Sequence, residues 1–195
     1  MTRELPIAGQ PPAERADAAR NRQKIIEVAA RMIATHGADN LSLDEVAREA
    51  NVGVGTVYRR FGDRTGLIYA LIDAQEREFQ AAFMTGPPPV GPGAPPAERV
   101  RAFLHALVDR KVSQRELFLQ LESGPPSARF GGPYRVHHTH LATLLAQARP
   151  GADARFLADA LLAPINASLI SHQQSERGMT AEAIKTGMDD LLRLL

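Results

Sequence analysis

LSLDEVAREANVGVGTVYRRF, residues 41–61, decides the fold. It reads as two short helices joined by a tight turn. Ser42 stands where a helix N-cap is needed, and Glu45 follows three residues later, the spacing at which the two side chains satisfy orphan backbone N–H groups reciprocally. Leu43, Val46, Ala47 and Ala50 then recur at helical spacing and mark one buried face. Asn51-Val52-Gly53 interrupts that helix. Gly53 adopts positive φ without steric cost, Asn51 tolerates it better than most residues, and apolar Val52 fits the angle between two packed helices. In the second helix Val57 and Phe61 are four apart and face inward, leaving Thr56, Tyr58, Arg59 and Arg60 outside. A short helix presenting a hydroxyl, a phenol and two guanidinium groups suits a DNA groove.

The composition permits this and narrows the alternatives. The chain has 195 residues, 44% of them hydrophobic and 23% charged, enough for one or two small globular domains. It has no cysteine, which excludes disulfides and thiol chemistry and agrees with a cytoplasmic protein. No apolar run is long enough for a membrane span, and MTRELPIAGQPPAER lacks the apolar core of a signal peptide. Net charge is only +1. Positive charge is local instead: Arg20, Arg22 and Lys24 cluster at one place, Arg59, Arg60 and Arg64 at another. That suits contact with a short DNA site rather than coating of nucleic acid.

Outward from the central stretch, every segment reads as helix, and the fold expected is all-α. Residues 1–19 form an N-terminal arm. A helix is firm from Arg20 to His36, with Ile25, Ile26, Ala29, Met32 and Ile33 on one face and Gly37 as its stop. Arg20 and Arg22 sit near its start, either on a solvated face or toward phosphate. After residues 42–61, Gly62 ends the second short helix, and Asp63 caps a helix running from Arg64 to Phe83. Gly66 in its first turn is a poor helix former and slightly weakens that end. The Pro/Gly-rich stretch 85–96 cannot be helix, and is read as a linker between an N-terminal domain, 20–84, and a helical domain, 97–195. Helices are expected from Ala97 to Val112, Glu116 to Leu121, Tyr134 to Arg149 and Asp153 to Ser175, with Pro164 breaking or kinking the last of these. Gly178 ends it, and Thr180 caps a final helix.

The N-terminal third resembles the tetracycline-repressor-like (TetR) family of bacterial transcriptional regulators. The resemblance is carried by RNRQKIIEVAARMIATHG, LSLDEVAREANV and GVGTVYRRFGDR, in that order and spacing. It implies a homodimer with a three-helix helix-turn-helix head on each subunit and a C-terminal helical domain for ligand binding and dimerisation. Carried over residue by residue, it places Thr56 and Tyr58 at phosphate-contacting positions and Arg59 at a position that often reads bases. It places Arg64 where a lysine commonly contacts phosphate, and Gly55 where a small residue permits close approach to DNA. Arg22 and Arg60 complete the candidate DNA-binding set, with Arg60 equally able to meet a neighbouring acid. Two positions depart from the pattern: Gly53 replaces a common serine cap, and Val54 replaces a common lysine. Arg59 is expected to read sequence and Thr56, Tyr58 and Arg64 to set register.

For the C-terminal domain the residues alone suggest a pocket lined by Phe103, Leu107, Phe118, Leu121, His137, His140, Leu144 and Asn166, with ordinary core the stronger reading for each apolar member. His137 and His140 lie one turn apart, the spacing of a shared metal, yet no HExxH pattern or carboxylate at metal-site spacing accompanies them. No metal, cofactor or catalytic residue is therefore assigned, and a histidine-based metal enzyme ranks behind a regulator. Leu161, Leu169, Ile184, Met188, Leu191, Leu192 and Leu195 form apolar stripes suited to a four-helix dimer interface. The partners expected are double-stranded, near-palindromic operator DNA, a small-molecule effector and a second copy of the chain. The function expected is a repressor that the effector releases, the alternative being a regulator with no small-molecule effector.

Overall fold

The computed structural model describes residues 13–122 and 130–194; the side chains of residues 13–16, 120 and 121 lie outside that description. Among the described residues there is no strand, and ten α-helices follow one another. These are α1 (Ala13–His36), α2 (Leu43–Ala50), α3 (Val54–Phe61), α4 (Arg64–Thr85), α5 (Pro96–Ser113), α6 (Arg115–Glu122), α7 (Gly132–Ala148), α8 (Ala154–Leu162), α9 (Ala167–Ser175) and α10 (Ala181–Leu194), with a 3-10 turn at Ala38–Asn40. No helix among the described residues is long and apolar enough to cross a membrane.

The chain divides into two compact units, one up to Ala74 and one from Gln75. The division falls inside α4 rather than at the Pro/Gly stretch 85–96, which belongs to the second unit. The reason is where the side chains of α4 are buried. Leu67 and Leu71 are buried in the first half of the helix, whereas Phe79 and Phe83 join the hydrophobic core built by α5, α7, α8 and α10.

The first unit is organised as its periodicity predicts. Ile25, Ala29, Val46, Ala47, Ala50 and Val57 are fully buried, and Phe61 nearly so. Each large apolar side chain removed from water contributes roughly 1.5–3 kcal/mol. Gly37 takes φ 82°, and its N–H reaches the Ile33 carbonyl, closing α1. Ser42 Oγ accepts the Glu45 backbone N–H at 3.4 Å. Ser42→Ala is expected to destabilise this unit by about 1 kcal/mol, read as a lower urea midpoint at unchanged slope.

Two glycines behave differently from expectation. Asn51, not Gly53, is the left-handed residue of the turn, at φ 53° and ψ 49°, while Gly53 is extended at φ −62°. The Asn51 N–H bonds back to the Arg48 carbonyl, so the turn closes one residue earlier than a glycine signal suggests. Gly66 is a requirement rather than a weakness. A Cβ there would lie 1.9 Å from the Phe61 carbonyl oxygen, so the end of α3 passes directly over the first turn of α4. Asp63 secures that turn by accepting the Gly66 N–H at 2.8 Å.

In the second unit Phe79, Phe83, Val100, Phe103, Leu104, Leu107, Leu141, Leu144, Ile170, Ile184 and Met188 form one buried cluster. Pro164 breaks the expected Asp153–Ser175 helix outright into α8 and α9. The fresh N-terminus of α9 is capped twice: Asn166 Oδ1 accepts the Leu169 N–H at 2.8 Å, and Glu122 accepts the N–H groups of Ala167 and Ser168 at 2.9 and 3.2 Å. Lys111 completes the Glu122 contact at 2.8 Å. The last helix is held down by Asp189, which receives Arg101 at 2.7 and 2.8 Å and His105 at 2.8 Å, all from α5.

Candidate nucleic-acid interface and interior polar cluster

The exposed face of α3 carries the chemistry of the first unit. Val57 and Phe61 point inward, which fixes the helix rotation and leaves Tyr58, Arg59 and Arg60 outside, with Thr56 half-buried. Tyr58 is 47% exposed, so its ring is not packing the core. No carboxylate lies within α3. Arg59 is exposed, and the described residues offer it no ion-pair partner. Its five donors are available to a base edge. Gly55 has nothing within 4 Å of its would-be Cβ, so its smallness serves no packing inside the protein.

The other arginines are tethered. Arg60 Nη1 donates to the Ala18 carbonyl of α1, which resolves its direction toward the protein rather than toward an acid. Arg64 Nη1 donates to the Asp39 carbonyl, and its Nη2 lies 3.9 Å from the Asp39 carboxylate. Arg22, half-buried, sits 3.9 Å from Asp73 of α4. These contacts pin α1, the 3-10 turn, α3 and α4 to one another. The three arginine side chains are thereby partly oriented by contacts within the chain.

The candidate pocket residues do not share one environment. Phe103, Leu107 and Leu144 are closed core at 0, 4 and 2% exposure. Asn166 spends its amide on capping: Nδ2 donates to the Ala163 carbonyl while Oδ1 caps α9, so it is not a pocket group. Phe118 is half-buried under the cations Lys111 and Arg110, 4.0 and 5.6 Å from its centroid. Leu121 lies outside the residues whose side chains are described.

The two histidines have different surroundings. His137 Nε2 is 2.8 Å from Glu76 Oε1, and Glu76 also receives Arg110 at 3.0 Å and Gln80 at 2.9 Å. Burial alone would raise the Glu76 carboxyl, but the hydrogen bond and charge of His137, then the bonds from Gln80 and Arg110, hold it at about 2. Glu76 is therefore an acceptor only, and His137 Nε2 is the donor. This carboxylate, 61 residues away in sequence, is the partner that the sequence does not reveal. His140 shares no such network. Its ring lies 4.4 Å from Phe83 and 4.9 Å from Phe103, and its Nε2 is buried with no hydrogen-bond partner. Among the described residues no three His, Asp or Glu groups converge as a metal site.

The proposed dimer stripes are largely used within the chain. Leu161, Ile184 and Met188 are 2, 7 and 3% exposed and belong to the chain's own core, and Leu169 and Leu192 are half-buried. What remains outside on α10 is Leu191 and also Leu194, which the sequence reading did not single out. Leu195 lies outside the described residues.

Residues 25–71 match the family model described as bacterial regulatory proteins, tetR family. An HTH-type transcriptional regulator of Staphylococcus aureus strain USA300 is 26% identical over 172 residues, spanning 88% of this chain and 91% of that protein. Among solved structures, a Saccharomonospora viridis protein in complex with choline superposes with a TM-score of 0.70 at 18% identity, covering 90% of this chain and 96% of that one. The regulator FadR of Bacillus subtilis, in complex with stearoyl-CoA, superposes with a TM-score of 0.66 at 17% identity, covering 87% and 96%.

Proposed function

We propose that this chain, whose residues 25–71 match the model for bacterial regulatory proteins of the tetR family and which is similar to HTH-type transcriptional regulators, is a transcriptional regulator that works as a homodimeric repressor released from a near-palindromic operator by a small-molecule effector. The single observation that carries the DNA-binding part is the outer face of α3: Thr56, Tyr58 and Arg59 on a helix without a carboxylate, rotated outward by buried Val57 and Phe61. Arg59 is the base-reading residue, Thr56 and Tyr58 contact phosphates, and Arg22, Arg60 and Arg64 frame the surface. Gly55 lets the helix approach the DNA backbone closely. Two heads related by a two-fold axis meet successive major grooves about 34–36 Å apart, or a multiple of that, which makes the operator near-palindromic.

The signal side rests on α4, which supplies residues to both units. An effector in the C-terminal unit favours a spacing of the two heads that no longer fits the operator. By linkage, operator and effector then weaken each other's binding by the same factor. Choline and stearoyl-CoA, held by the two structural neighbours, differ in charge and size, so they support an effector site without choosing the effector. The dimer forms through the exposed part of α10, around Leu191 and Leu194, together with the α8 and α9 region.

Selection of bound sequences from random duplex DNA tests this reading. A near-palindrome supports it, and no enrichment at moderate salt overturns it. On the selected site, Arg59→Ala is expected to lose about 1–3 kcal/mol of discrimination at one base position. Arg64→Ala should instead weaken all sequences together and reduce the salt slope. Equal behaviour of the two variants would sink the division between reading and positioning.

A further inference from the structure

The second unit contains a half-buried cation that no carboxylate among the described residues neutralises. Glu76 is the one charged residue among the described residues that is buried outright, and Arg110 and His137 already occupy it. Arg99, at the start of α5, has no carboxylate partner among the described residues. Its Nη2 donates to the Phe83 carbonyl at 3.1 Å, and its Nε is buried with no acceptor. His140, whose Nε2 is the other unsatisfied buried nitrogen here, stands against the ring of the same Phe83. Burial first, then the charges of Arg99 and His137, push His140 down to about 4, so at neutral pH its ring is uncharged and can carry one N–H. Buried donors of this kind are ordinarily paired. Two unpartnered nitrogens, one in the guanidinium of Arg99 and one in a neutral ring that can present its N–H there, beside the Phe83 ring, ask for an anionic oxygen attached to an apolar body.

We propose that Arg99 and His140 form an acid-binding subsite at the edge of the closed core around Phe83 and Phe103, and that the effector is an amphipathic carboxylic acid whose carboxylate lies on these two residues and whose apolar part enters by opening that core. The inference rests on the effector-responsive reading above and gives that site a ligand class. A cationic ligand is disfavoured because it would meet Arg99, and because the Glu76 carboxylate is already spent on Arg110 and His137.

The test uses the full chain, refolded to remove carried-over ligand, and calorimetric titration with decanoate and phenylacetate, their methyl esters, and decylamine. At least one acid is expected to bind, its ester at least about tenfold more weakly, the loss expected when one charge-assisted bond is removed, and the amine not at all. The Nε2 resonance of His140 in 15N-histidine protein should shift with acid and not with ester. Arg99→Gln should cost the acid at least about tenfold in affinity while leaving the ester unchanged. Binding of neither acid, equal binding of acid and ester, or tighter binding of the amine overturns the proposal, and the two nitrogens then hold water only. The comparison of acid with ester in the unaltered protein needs no variant, so it stands even where Arg99→Gln fails to fold. Fluorescence anisotropy on the selected operator separates the two readings. Arg99-dependent acid binding without loss of DNA affinity keeps the subsite and overturns effector release. Operator binding with no response to either acid keeps the regulator and overturns the subsite.

Discussion

Gly66→Ala should lower operator affinity by about tenfold or more while also destabilising the N-terminal unit by about 1–3 kcal/mol, the range for forcing an extra carbon into packed structure. The added Cβ would lie 1.9 Å from the carbonyl oxygen of Phe61 and 3.1 Å from its carbonyl carbon. Both are backbone atoms, so no side-chain rotation relieves the overlap. Either the first turn of α4 lifts, or the C-terminal end of α3 moves. Phe61 anchors α3 in the core, and Tyr58 and Arg59 stand within one turn of it, so any shift is delivered to the groups proposed to face DNA. A bidentate contact to a base is lost over a fraction of an ångström, hence the size of the effect on binding. Gly55→Ala is the matched control. Its Cβ meets nothing within the protein, and alanine is the better helix former, so stability should hold or rise. If Gly55 is small for the sake of the DNA backbone, operator affinity still falls. Urea denaturation and anisotropy on the two variants therefore separate a glycine needed for packing from one needed for DNA. Unchanged stability of Gly66→Ala would refute the packing role.

Glu76→Ala should be the most damaging single change in the C-terminal unit, costing about 3–5 kcal/mol and lowering its melting temperature by roughly 10 °C or more. The cost does not come from losing a good interaction with water as the alternative. It comes from what stays behind: Arg110 and His137, each with 12% side-chain exposure, remain buried with their donors unmet. Phe79 lies under Arg110 at 4.6 Å and adds nothing that replaces a carboxylate. The pH dependence follows from the direction of the shift. Glu76 is held at about 2 in the folded chain against 4.5 for a free carboxyl. Its folded value is depressed, so its contribution is fully present above 4.5 and disappears as the pH falls toward 2. The difference in melting temperature between the unaltered protein and Glu76→Ala should accordingly be largest near neutrality and shrink below pH 4.5. A difference that stays constant down to the lower value would mean that Glu76 is not ionised in the folded state.

The features legible in the sequence are those decided within three or four residues. Ser42, Asp63, Asp153 and Thr180 each cap a helix by accepting an N–H three residues ahead, and each is identifiable from residue type and spacing. The inward positions of α1, α2 and α3 follow from helical periodicity, and with them the outward direction of Tyr58 and Arg59. Pro164 announces a break because it has no N–H to donate. The resemblance of residues 41–61 to a DNA-binding motif therefore rested on local rules that the fold leaves intact. Asn51 shows the limit even there: with asparagine and glycine both present, sequence alone does not say which takes the left-handed conformation.

What only the tertiary structure decided concerns groups with several donors, or faces with more than one possible neighbour. Arg60 reaches a carbonyl 42 residues away and Arg64 one 25 residues away, and nothing in RRFGDR names either acceptor. The apolar stripe of α10 was equally consistent with a second copy of the chain, but Ile184 and Met188 are buried in the chain's own core while Asp189 ties the helix to α5. The same holds for α4, which looks like one helix of one domain and is shared by two because Phe79 and Phe83 meet a core assembled from later helices. Backbone conformation is set by short-range sterics and neighbouring hydrogen bonds, so the sequence by itself determined the helices, their caps and the face that α3 presents. The partner of a long charged side chain, the space left for a Cβ at Gly66 and the closing of a core depend on which distant residues the packing brings within a few ångströms, and those the tertiary structure alone supplies.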